Sequence, residues 1–270
     1  MGVVNTTPDS FFDGGRYMVE EAARARVDEL MLANTTILDI GAESSRPGSA
    51  PVSAAEQIAR MEAALEYAVS RGAVVSVDTT DPDVADHALG KGAHIVNDVS
   101  CLANDELARV AARHGAALIL MHSRGPMQKM PGFSQWPDDA YGDVVRDVFA
   151  EWTQARDRAV QKGLAREAVW MDPGLGFSKN ARHSLELLSR LSELRGRAPF
   201  LVVGPGRKSF IASVDPSAPT ERLGGTVAAC LAAVERGAEV LRVHDVREVA
   251  QALLIRRAVT EAPKAEVSRV

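Results

Sequence analysis

Short apolar runs that end at a polar residue recur eight times along this 270-residue chain. Each run has the length of a buried strand, and a stretch with the apolar spacing of an amphipathic helix follows it. The predicted strands are 2–4, 36–38, 73–77, 94–96, 117–121, 169–171, 200–203 and 240–241. The predicted helices are 18–33, 53–71, 82–91, 104–114, 138–162, 181–195, 223–236 and 246–261. Eight repeats of strand and helix indicate an α/β fold, a (β/α)8 TIM barrel of eight parallel strands.

The predicted helix-to-strand connections are short and share one composition. A Lys, Arg or His followed by a glycine closes four of the predicted helices, at Gly72, Gly92, Gly115 and Gly237. This order favours a left-handed glycine after the helix, with a cation at the negative end of the helix dipole. Asn34 stands where the pattern has glycine, and asparagine also tolerates that conformation. These connections are therefore predicted to be tight.

The predicted strand-to-helix loops, in contrast, are long and differ in length. The loops at 6–15, 41–52 and 123–137 are rich in Gly, Pro, Ser and charged residues. In a parallel barrel these loops all lie at the C-terminal ends of the strands, where barrels of this class place their chemistry. We therefore expect a ligand site, with the active site at the C-terminal face.

Composition limits the partners and the compartment of the chain. The formal net charge of -5 argues against binding to nucleic acid or to an anionic membrane surface. No run of about 18 apolar residues and no signal peptide is present, so a protein that neither spans a membrane nor is exported is expected. Cys101 and Cys230 lie far apart and are predicted to be reduced thiols of a cytoplasmic protein. Residues 1–262 are predicted to form one domain, and 263–270 a flexible tail.

Four of the predicted strands end at an acid or an amide. Asn5, Asp78, Asn97 and Asp172 follow the first, third, fourth and sixth strands. Each alone is more often a turn or cap residue, and Asp172 could be satisfied by backbone N–H groups of the turn that follows it. Four such residues at one level of a barrel instead indicate a site for a flat heterocycle with several N–H and C=O groups. Phe177 is a candidate to stack on that ring.

Cations follow the last two predicted strands, where barrels of this class commonly bind phosphate. Gly204 and Lys208 come after the seventh strand, and Arg242 and His244 come after the eighth. Arg46 on the second loop adds a guanidinium suited to phosphate oxygens. The sequence has no HxH, HExxH or cysteine cluster for a tightly held zinc ion. A Mg²⁺ ion held loosely by one amide oxygen and by substrate phosphates is the metal site that stays open.

The motifs that carry these residues closely resemble those of the dihydropteroate synthase family. They are VNTTPDSFFDGG (4–15), DIGAESSRPGS (39–49), SVDT (76–79), VNDVS (96–100), LMH (120–122), DPGLGFSK (172–179), GPGRKSF (204–210) and RVHDV (242–246). The motifs cover nearly the whole chain in the order of the family. The resemblance implies an enzyme that joins 6-hydroxymethyl-7,8-dihydropterin diphosphate to 4-aminobenzoate in folate synthesis, with release of diphosphate.

The resemblance also implies a role for each candidate residue. Asp172 would bind the amino and ring N–H edge of the pterin, and Asn5 would coordinate Mg²⁺. The other pterin-site residues implied are Asp78, Asn97, Met121, Phe177, Gly204 and Lys208. The diphosphate would be held by Ser45, Arg46, Arg242 and His244. The residues implied to act in catalysis are Arg46, Asp78, Lys208, Arg242 and His244. Loops 6–15 and 41–52 would close over the site.

The sequence departs from the family pattern at three positions. Gly206 stands where the family usually has serine, near the site of 4-aminobenzoate and sulfonamides, so altered sulfonamide susceptibility is expected. Ala42 and Ser178 each replace a common glycine.

Two alternative functions share the ring contacts, a pterin-dependent methyltransferase barrel and a non-catalytic pterin-binding paralogue. The methyltransferase barrels lack the lysine of RKSF and the Arg–His pair of RVHDV, which are present here. The intact cations also argue against the paralogue, although Gly206 leaves it open. A homodimer formed through the alanine-rich last two helices is expected.

Overall fold

The structure, a computed structural model, describes residues 1–7, 16–44, 49–125 and 135–262, with the backbone alone for 16–19. Parallel strands and helices alternate through these residues, as the sequence predicts. The strands are β1 (Gly2–Asn5), β2 (Ile37–Gly41), β3 (Val74–Asp78), β4 (Ile95–Asp98), β5 (Ala117–Met121), β6 (Val169–Asp172), β7 (Val202–Val203) and β8 (Val240–Leu241). The helices are α1 (Arg16–Leu32), α2 (Ala54–Ser70), α3 (Pro82–Gly90), α4 (Glu106–His114), α5 (Val144–Gln161), α6 (Ala181–Ser189), α7 (Ser209–Val214), α8 (Leu223–Glu235) and α9 (Val246–Glu261). The predicted tail at 263–270 lies outside the described residues.

The eight strands form a ring in chain order. Strands β1 to β6 make one parallel sheet, and β7 and β8 make a parallel pair. Isolated bridges join the two, because Met171 of β6 pairs with Leu201 and Gly2 of β1 pairs with Val243. The Val3 N–H also donates to the Val243 carbonyl over 3.2 Å. Backbone pairing therefore crosses both junctions, and the predicted (β/α)8 TIM barrel is confirmed.

Several strands extend beyond their predicted ends because backbone pairing continues through the polar residues. Asp78 pairs in register with Asn97, and Met121 pairs with Asp172. Asp39, which the sequence predicts to follow the second strand, lies within β2. These side chains are therefore positioned by the sheet backbone rather than by loops.

Three helices differ from the sequence prediction. Helix α5 begins at Val144 rather than at 138, because the Asp143 side chain accepts hydrogen bonds from two backbone N–H groups of the first turn and caps the helix there. The predicted helix 181–195 is α6 followed by a 3-10 turn at Leu191–Leu194. Helix α7 has six residues, too few to give a helical period in the sequence.

The tight helix-to-strand connections are confirmed. Gly72, Gly92, Gly115 and Gly237 all have positive φ, and Asn34 shares their left-handed conformation with a φ of 56°. Because these connections are short, the long loops are confined to the opposite face of the barrel.

A small layer of apolar side chains packs inside the barrel. Ile37, Ile95, Ile119 and Val202, one from each of four strands, form a buried cluster separate from the larger core between strands and helices. In β2 and β4 this layer lies two residues before a polar side chain of the same strand, so it packs the barrel interior beneath those side chains. None of the helices in the described ranges is long and apolar enough to cross a membrane.

Candidate active site

Side-chain alternation along the strands places a polar layer directly above the apolar one. Residues two apart on a strand share a face of the sheet. Ile37 and Asp39 therefore share the interior face of β2, and Ile95 and Asn97 share that of β4. The same relation holds for Ile119 and Met121 on β5 and for Trp170 and Asp172 on β6. The candidate residues of these strands thus lie at one level of the barrel.

Arg242 joins acids of two other strands, Asp39 within β2 and Asp78 at the end of β3. Its Nε donates to Asp39 Oδ2 over 2.7 Å, and its Nη2 donates to Asp78 Oδ2 over 2.5 Å. Asn97 donates from Nδ2 to the same Asp39 oxygen over 3.2 Å. Asp39 is fully buried, and its Oδ1 has no hydrogen-bond partner in the part of the chain that the structure describes. The structure therefore brings Asp78, Asn97 and Arg242 together around a fourth residue, Asp39.

The pKa values of two groups in this network, Asp78 and Arg242, differ from their ordinary values. Burial raises the pKa of Asp78 to about 7, with Arg242 opposing the rise and Asp39 adding to it. Burial also lowers the pKa of Arg242, but the charges of Asp39 and Asp78 outweigh this and hold that pKa above its usual value. Arg242 therefore stays protonated, whereas Asp78 changes its charge near neutral pH.

Asp172 is the buried acid at the end of β6, with 3% of its surface exposed. Its Oδ1 accepts the Gly174 N–H over 2.7 Å, so the turn satisfies one of its oxygens. Among the described residues, that is the only hydrogen bond to its carboxylate. Burial raises the pKa of Asp172, while the charges of Lys208 and Arg242 and the Gly174 N–H lower it. Oδ2 therefore remains available to a ligand.

Gly174 brings the turn after β6 close to β5. Its φ is 69°, and a Cβ at this position would stand 2.0 Å from the backbone oxygen of His122. Beside this contact, the His122 N–H donates to the Asp172 carbonyl over 2.8 Å. No residue with a side chain fits here, and this close approach fixes the direction of the Asp172 carboxylate.

Lys208, in the loop after β7, is a partly buried cation whose charge interacts with that of Asp172. Its Nζ donates to a carbonyl of the loop after β6 and lies 4.5 Å from the centre of the Phe177 ring. Burial lowers the pKa of Lys208 to about 8, and the charge of Asp172 opposes this. Phe177 packs with Met121 and Val99 in a small apolar cluster. A flat ring bound to Asp172 would therefore meet an apolar surface and an ammonium group.

Two glycines of the loop after β7 leave space near the cations. A Cβ on Gly204 would stand 3.8 Å from both Arg242 Cβ and Lys208 Nζ, so this residue lies between the two cations. A Cβ on Gly206 would meet the Thr226 methyl group at 3.6 Å, an ordinary contact. The loop therefore has room at position 206 for the serine that is usual there.

The remaining candidate residues lie at the rim or outside the described ranges. His244 and Asn5 are exposed. Partial loss of water, together with the charge of Arg242 and other nearby guanidinium groups, lowers the pKa of His244. The described residues provide no hydrogen-bond partner for the Asn5 side chain. Ser45 and Arg46 fall in the segment 45–48, which the structure does not describe.

Sequence reasoning did not select two buried polar residues beside the site. Asp39 follows an apolar run just as Asp78 does, so the same signal could have found it. Lys179 closes the DPGLGFSK motif and is only 1% exposed. A lysine in a sequence is normally interpreted as a surface residue, and no local pattern around Lys179 marks its burial.

The comparisons with known proteins agree with this geometry. The model of the family described as pterin binding enzyme matches residues 1–244. The dihydropteroate synthase of Escherichia coli strain K12 is 38% identical over 266 residues, which are 97% of this chain and 92% of that protein. The structure of Xanthomonas albilineans dihydropteroate synthase with 4-aminobenzoic acid is 36% identical, with a TM-score of 0.88 over 97% of this chain and 93% of the other. A Yersinia pestis dihydropteroate synthase in complex with a sulfonamide drug has the same identity and TM-score, over 97% and 94% of the two chains.

Proposed function

This chain belongs to the dihydropteroate synthase family of pterin-binding enzymes, and we propose the reaction that it catalyses. As a transferase, it joins 6-hydroxymethyl-7,8-dihydropterin diphosphate to 4-aminobenzoate and gives 7,8-dihydropteroate and diphosphate. The observation that carries this proposal is the buried Asp172 carboxylate in the barrel mouth, whose charge interacts with those of Lys208 and Arg242.

The pterin ring fits the polar layer of the barrel. Asp172 accepts from the amino group and the ring N–H, because Oδ2 is available and Oδ1 has a second lone pair besides the one that accepts from Gly174. Asp39 holds the Asn97 amide nitrogen, which leaves the amide oxygen of Asn97 for the ring. Lys208 donates to the carbonyl side of the pterin, and Phe177 packs on its face.

The leaving diphosphate is stabilised by cations at the rim. The reaction breaks a carbon–oxygen bond, and negative charge develops on the departing group, so preorganised cations lower the barrier. Arg242 and Arg46 supply that positive charge. His244, whose lowered pKa leaves the imidazole neutral at pH 7, and Ser45 are further hydrogen-bond donors. The ionised form of Asp78 favours the positive charge that is left on the pterin. The neutral arylamine then attacks, and closure of the loops at 6–15 and 41–52 excludes competing water.

Magnesium is the cofactor that this donor set suits. Asn5 offers one exposed amide oxygen at the end of β1. Within the described ranges no group of three or more His, Cys, Asp or Glu side chains is arranged to hold a metal ion. Mg²⁺ commonly takes one or two protein oxygens, substrate phosphates and water. When bound, it would supply further positive charge for the leaving diphosphate.

A coupled assay tests the proposed function. The pterin diphosphate is offered to the purified protein with and without 4-aminobenzoate, and with and without Mg²⁺, and released diphosphate is measured. Release that requires 4-aminobenzoate is the expected result. Pterin binding without diphosphate release would instead indicate a binding paralogue, and methyl transfer without release would indicate the methyltransferase class.

Arg242→Ala tests the assignment of the diphosphate site. The variant should lose far more affinity for the pterin diphosphate than for the free pterin, by at least about tenfold in the ratio of the two dissociation constants, because a charged hydrogen bond is worth roughly 1.5–3 kcal/mol. Arg207→Ala is a matched control, since Arg207 is engaged with Asp245, and its ratio should stay at the wild-type value. Equal losses for both ligands in Arg242→Ala would count against the role.

The protein is proposed to act as a homodimer through α8 and α9. These helices enclose an apolar groove of about 450 Å³, and Leu254, Ile255 and Val259 of α9 are more than half exposed. Exposed apolar surface of this kind commonly marks an interface. Sedimentation velocity should show a dimer that Ile255→Glu converts to monomer; a monomeric wild type would reject the proposal.

A cytoplasmic location and an altered response to sulfonamides complete the proposal. Cys101 and Cys230 are both free thiols, as is usual in a reducing compartment. We take residues 1–262 as a single pterin-binding domain. An altered response to sulfonamides is proposed because Gly206 stands in the arylamine site where the family usually has serine.

A further inference from the structure

Lys179 is a buried lysine to which the proposed reaction assigns no task. It ends the DPGLGFSK segment that also carries Asp172 and Phe177, and 1% of its surface is exposed. A buried ammonium group is costly unless the polar atoms around it compensate for the lost water. The contacts of its Nζ therefore indicate what it does.

The Nζ atom has three acceptors, one for each proton of an ammonium group. They are His122 Nδ1 at 2.9 Å, the Phe177 carbonyl at 3.0 Å and the His122 carbonyl at 3.4 Å. A neutral amine has only two N–H groups and would leave one acceptor without a donor. The geometry thus suits the charged form, and the charged form ties the loop 173–178 to strand β5.

Glu151 sets the tautomer of His122. Its Oε2 lies 3.1 Å from His122 Nε2. Burial and the charge of Lys179 together lower the pKa of His122 to about 4, although Glu151 opposes the fall. A neutral imidazole that donates from Nε2 to Glu151 presents an unprotonated Nδ1 to Lys179. Arg124 pairs with Glu151 and holds that carboxylate in place.

The charges of Lys179 and Asp172 support each other. Burial lowers the pKa of Lys179 to about 7, and Asp172 opposes this fall. In turn, burial raises the pKa of Asp172, and Lys179 is among the charges that lower it. The titratable and charged groups around Lys179 are Cys101 after β4, His122 and Arg124 after β5, Tyr141 before α5, Asp172 on β6 and Lys208 after β7, with Glu151 of α5 behind His122. Of these groups, Asp172 and Lys208 are proposed to contact the pterin, and Asp172 is the one whose charge is opposite to that of Lys179.

We propose that Lys179 is a positioning residue of the pterin site, which fixes the loop 173–178 beneath the ring and keeps the Asp172 carboxylate ionised. It acts through Asp172 and Phe177 and does not itself contact the ring. The inference rests on the proposed function, because the ligand that the loop serves is the pterin.

Lys179→Met tests this inference, since methionine keeps most of the length and apolar packing of lysine and removes its charge. Binding of 6-hydroxymethylpterin, which lacks the diphosphate, is measured by calorimetry from about pH 5 to pH 9. At neutral pH the variant should bind about tenfold more weakly, because the three buried acceptors of Lys179 Nζ lose their donor and the loop 173–178 is no longer held. On the acid side of the profile, the variant should lose affinity at a pH that is higher by on the order of one unit, because the pKa of Asp172 rises without the charge of Lys179. Lys162→Met is the matched control, because Lys162 directly follows α5 and pairs with Asp105. Its pterin affinity and its pH profile should equal those of the wild type.

The outcomes separate this inference from the proposed function. A folded Lys179→Met variant with wild-type affinity and an unchanged pH profile would overturn the inference and leave the function standing. A wild-type protein that binds no pterin would overturn the function instead. If Lys179→Met does not fold, nitrogen NMR of His122 in the wild type decides. An Nε2–H tautomer with unprotonated Nδ1 supports the inference, and an Nδ1–H group rejects it, because Nδ1 could then not accept from Lys179.

Discussion

Arg242 and Asp78 lie 164 positions apart in the chain and are joined by a hydrogen bond of 2.5 Å from Nη2 to Oδ2. The bond connects the end of β3 to the residue that follows β8. Asp39 accepts from the same guanidinium, so two carboxylates share one cation. Burial, with the charge of Asp39 adding to it and Arg242 opposing it, raises the pKa of one of the two, Asp78, to about 7.

Asp78→Asn should change how the stability of the fold depends on pH. The pKa of Asp78 in the folded protein is about 7, above its value in the unfolded chain. Its contribution to stability is therefore fully present below about pH 4 and is lost as the pH rises through about 7. The free energy of unfolding of the variant should rise relative to wild type by roughly 1–4 kcal/mol between pH 4 and pH 8. Urea unfolding at a series of pH values measures this, and a difference that does not vary with pH would contradict it.

Asp172→Asn should abolish productive pterin binding without unfolding the protein. One acceptor oxygen becomes a donor that faces a donor of the ring, and each lost charged hydrogen bond costs roughly 1.5–3 kcal/mol. Because burial raises the pKa of Asp172, wild-type affinity should fall as the pH is lowered through that raised pKa, whereas any residual binding by the variant should not. Calorimetry with the pterin diphosphate measures the loss, and near-normal affinity would overturn the assignment of Asp172. Urea unfolding serves as the control, since the substitution also removes the charge that opposes the effect of burial on Lys179 and Lys208, and it shows that the variant is folded under the conditions of the binding measurement.

At Ser178 the backbone conformation costs stability, whereas the side-chain hydrogen bonds add to it, and two substitutions separate these effects. It has a φ of 49°, in the region where the family usually has glycine. Its Oγ accepts the Arg124 N–H over 2.7 Å and donates to the Arg124 carbonyl over 3.0 Å. Ser178→Ala keeps the strain and loses both bonds, so it should be destabilised by about 1–3 kcal/mol. Ser178→Gly loses the same bonds but relieves the strain, and should be more stable than Ser178→Ala by about 1 kcal/mol. Urea unfolding compares the two variants, and an alanine variant at least as stable as the glycine variant would show that the strain is negligible.

Gly206→Ser should strengthen the binding of sulfonamides and of 4-aminobenzoate. The new Cβ has only an ordinary contact with Thr226, so the fold should be unaffected. One added hydrogen bond of about 1 kcal/mol corresponds to a change of about fivefold. Inhibition constants of a sulfonamide for wild type and variant measure the effect, and equal constants would reject a role for this position.

The order of strands and helices was predictable because its signals are local. Apolar runs, helical spacing and left-handed residues such as Asn34 depend on a few neighbours in the chain. The level at which Asn97 and Asp172 lie was predictable for the same reason, since each directly follows an apolar run. The start of α5 was not, because one capping interaction of Asp143 overrides a longer amphipathic pattern.

The sequence by itself determined the barrel, the face that carries the site and most of the polar residues that point into it. Only the tertiary structure decided which of those residues meet. Nothing near Asp39 indicates a partner 203 residues later, and nothing near Lys179 indicates burial against His122. The physical reason is that periodicity sets the face of each strand, whereas closure of the ring sets the register between strands that are distant in the chain. Partners, burial and hence charge states depend on that closure.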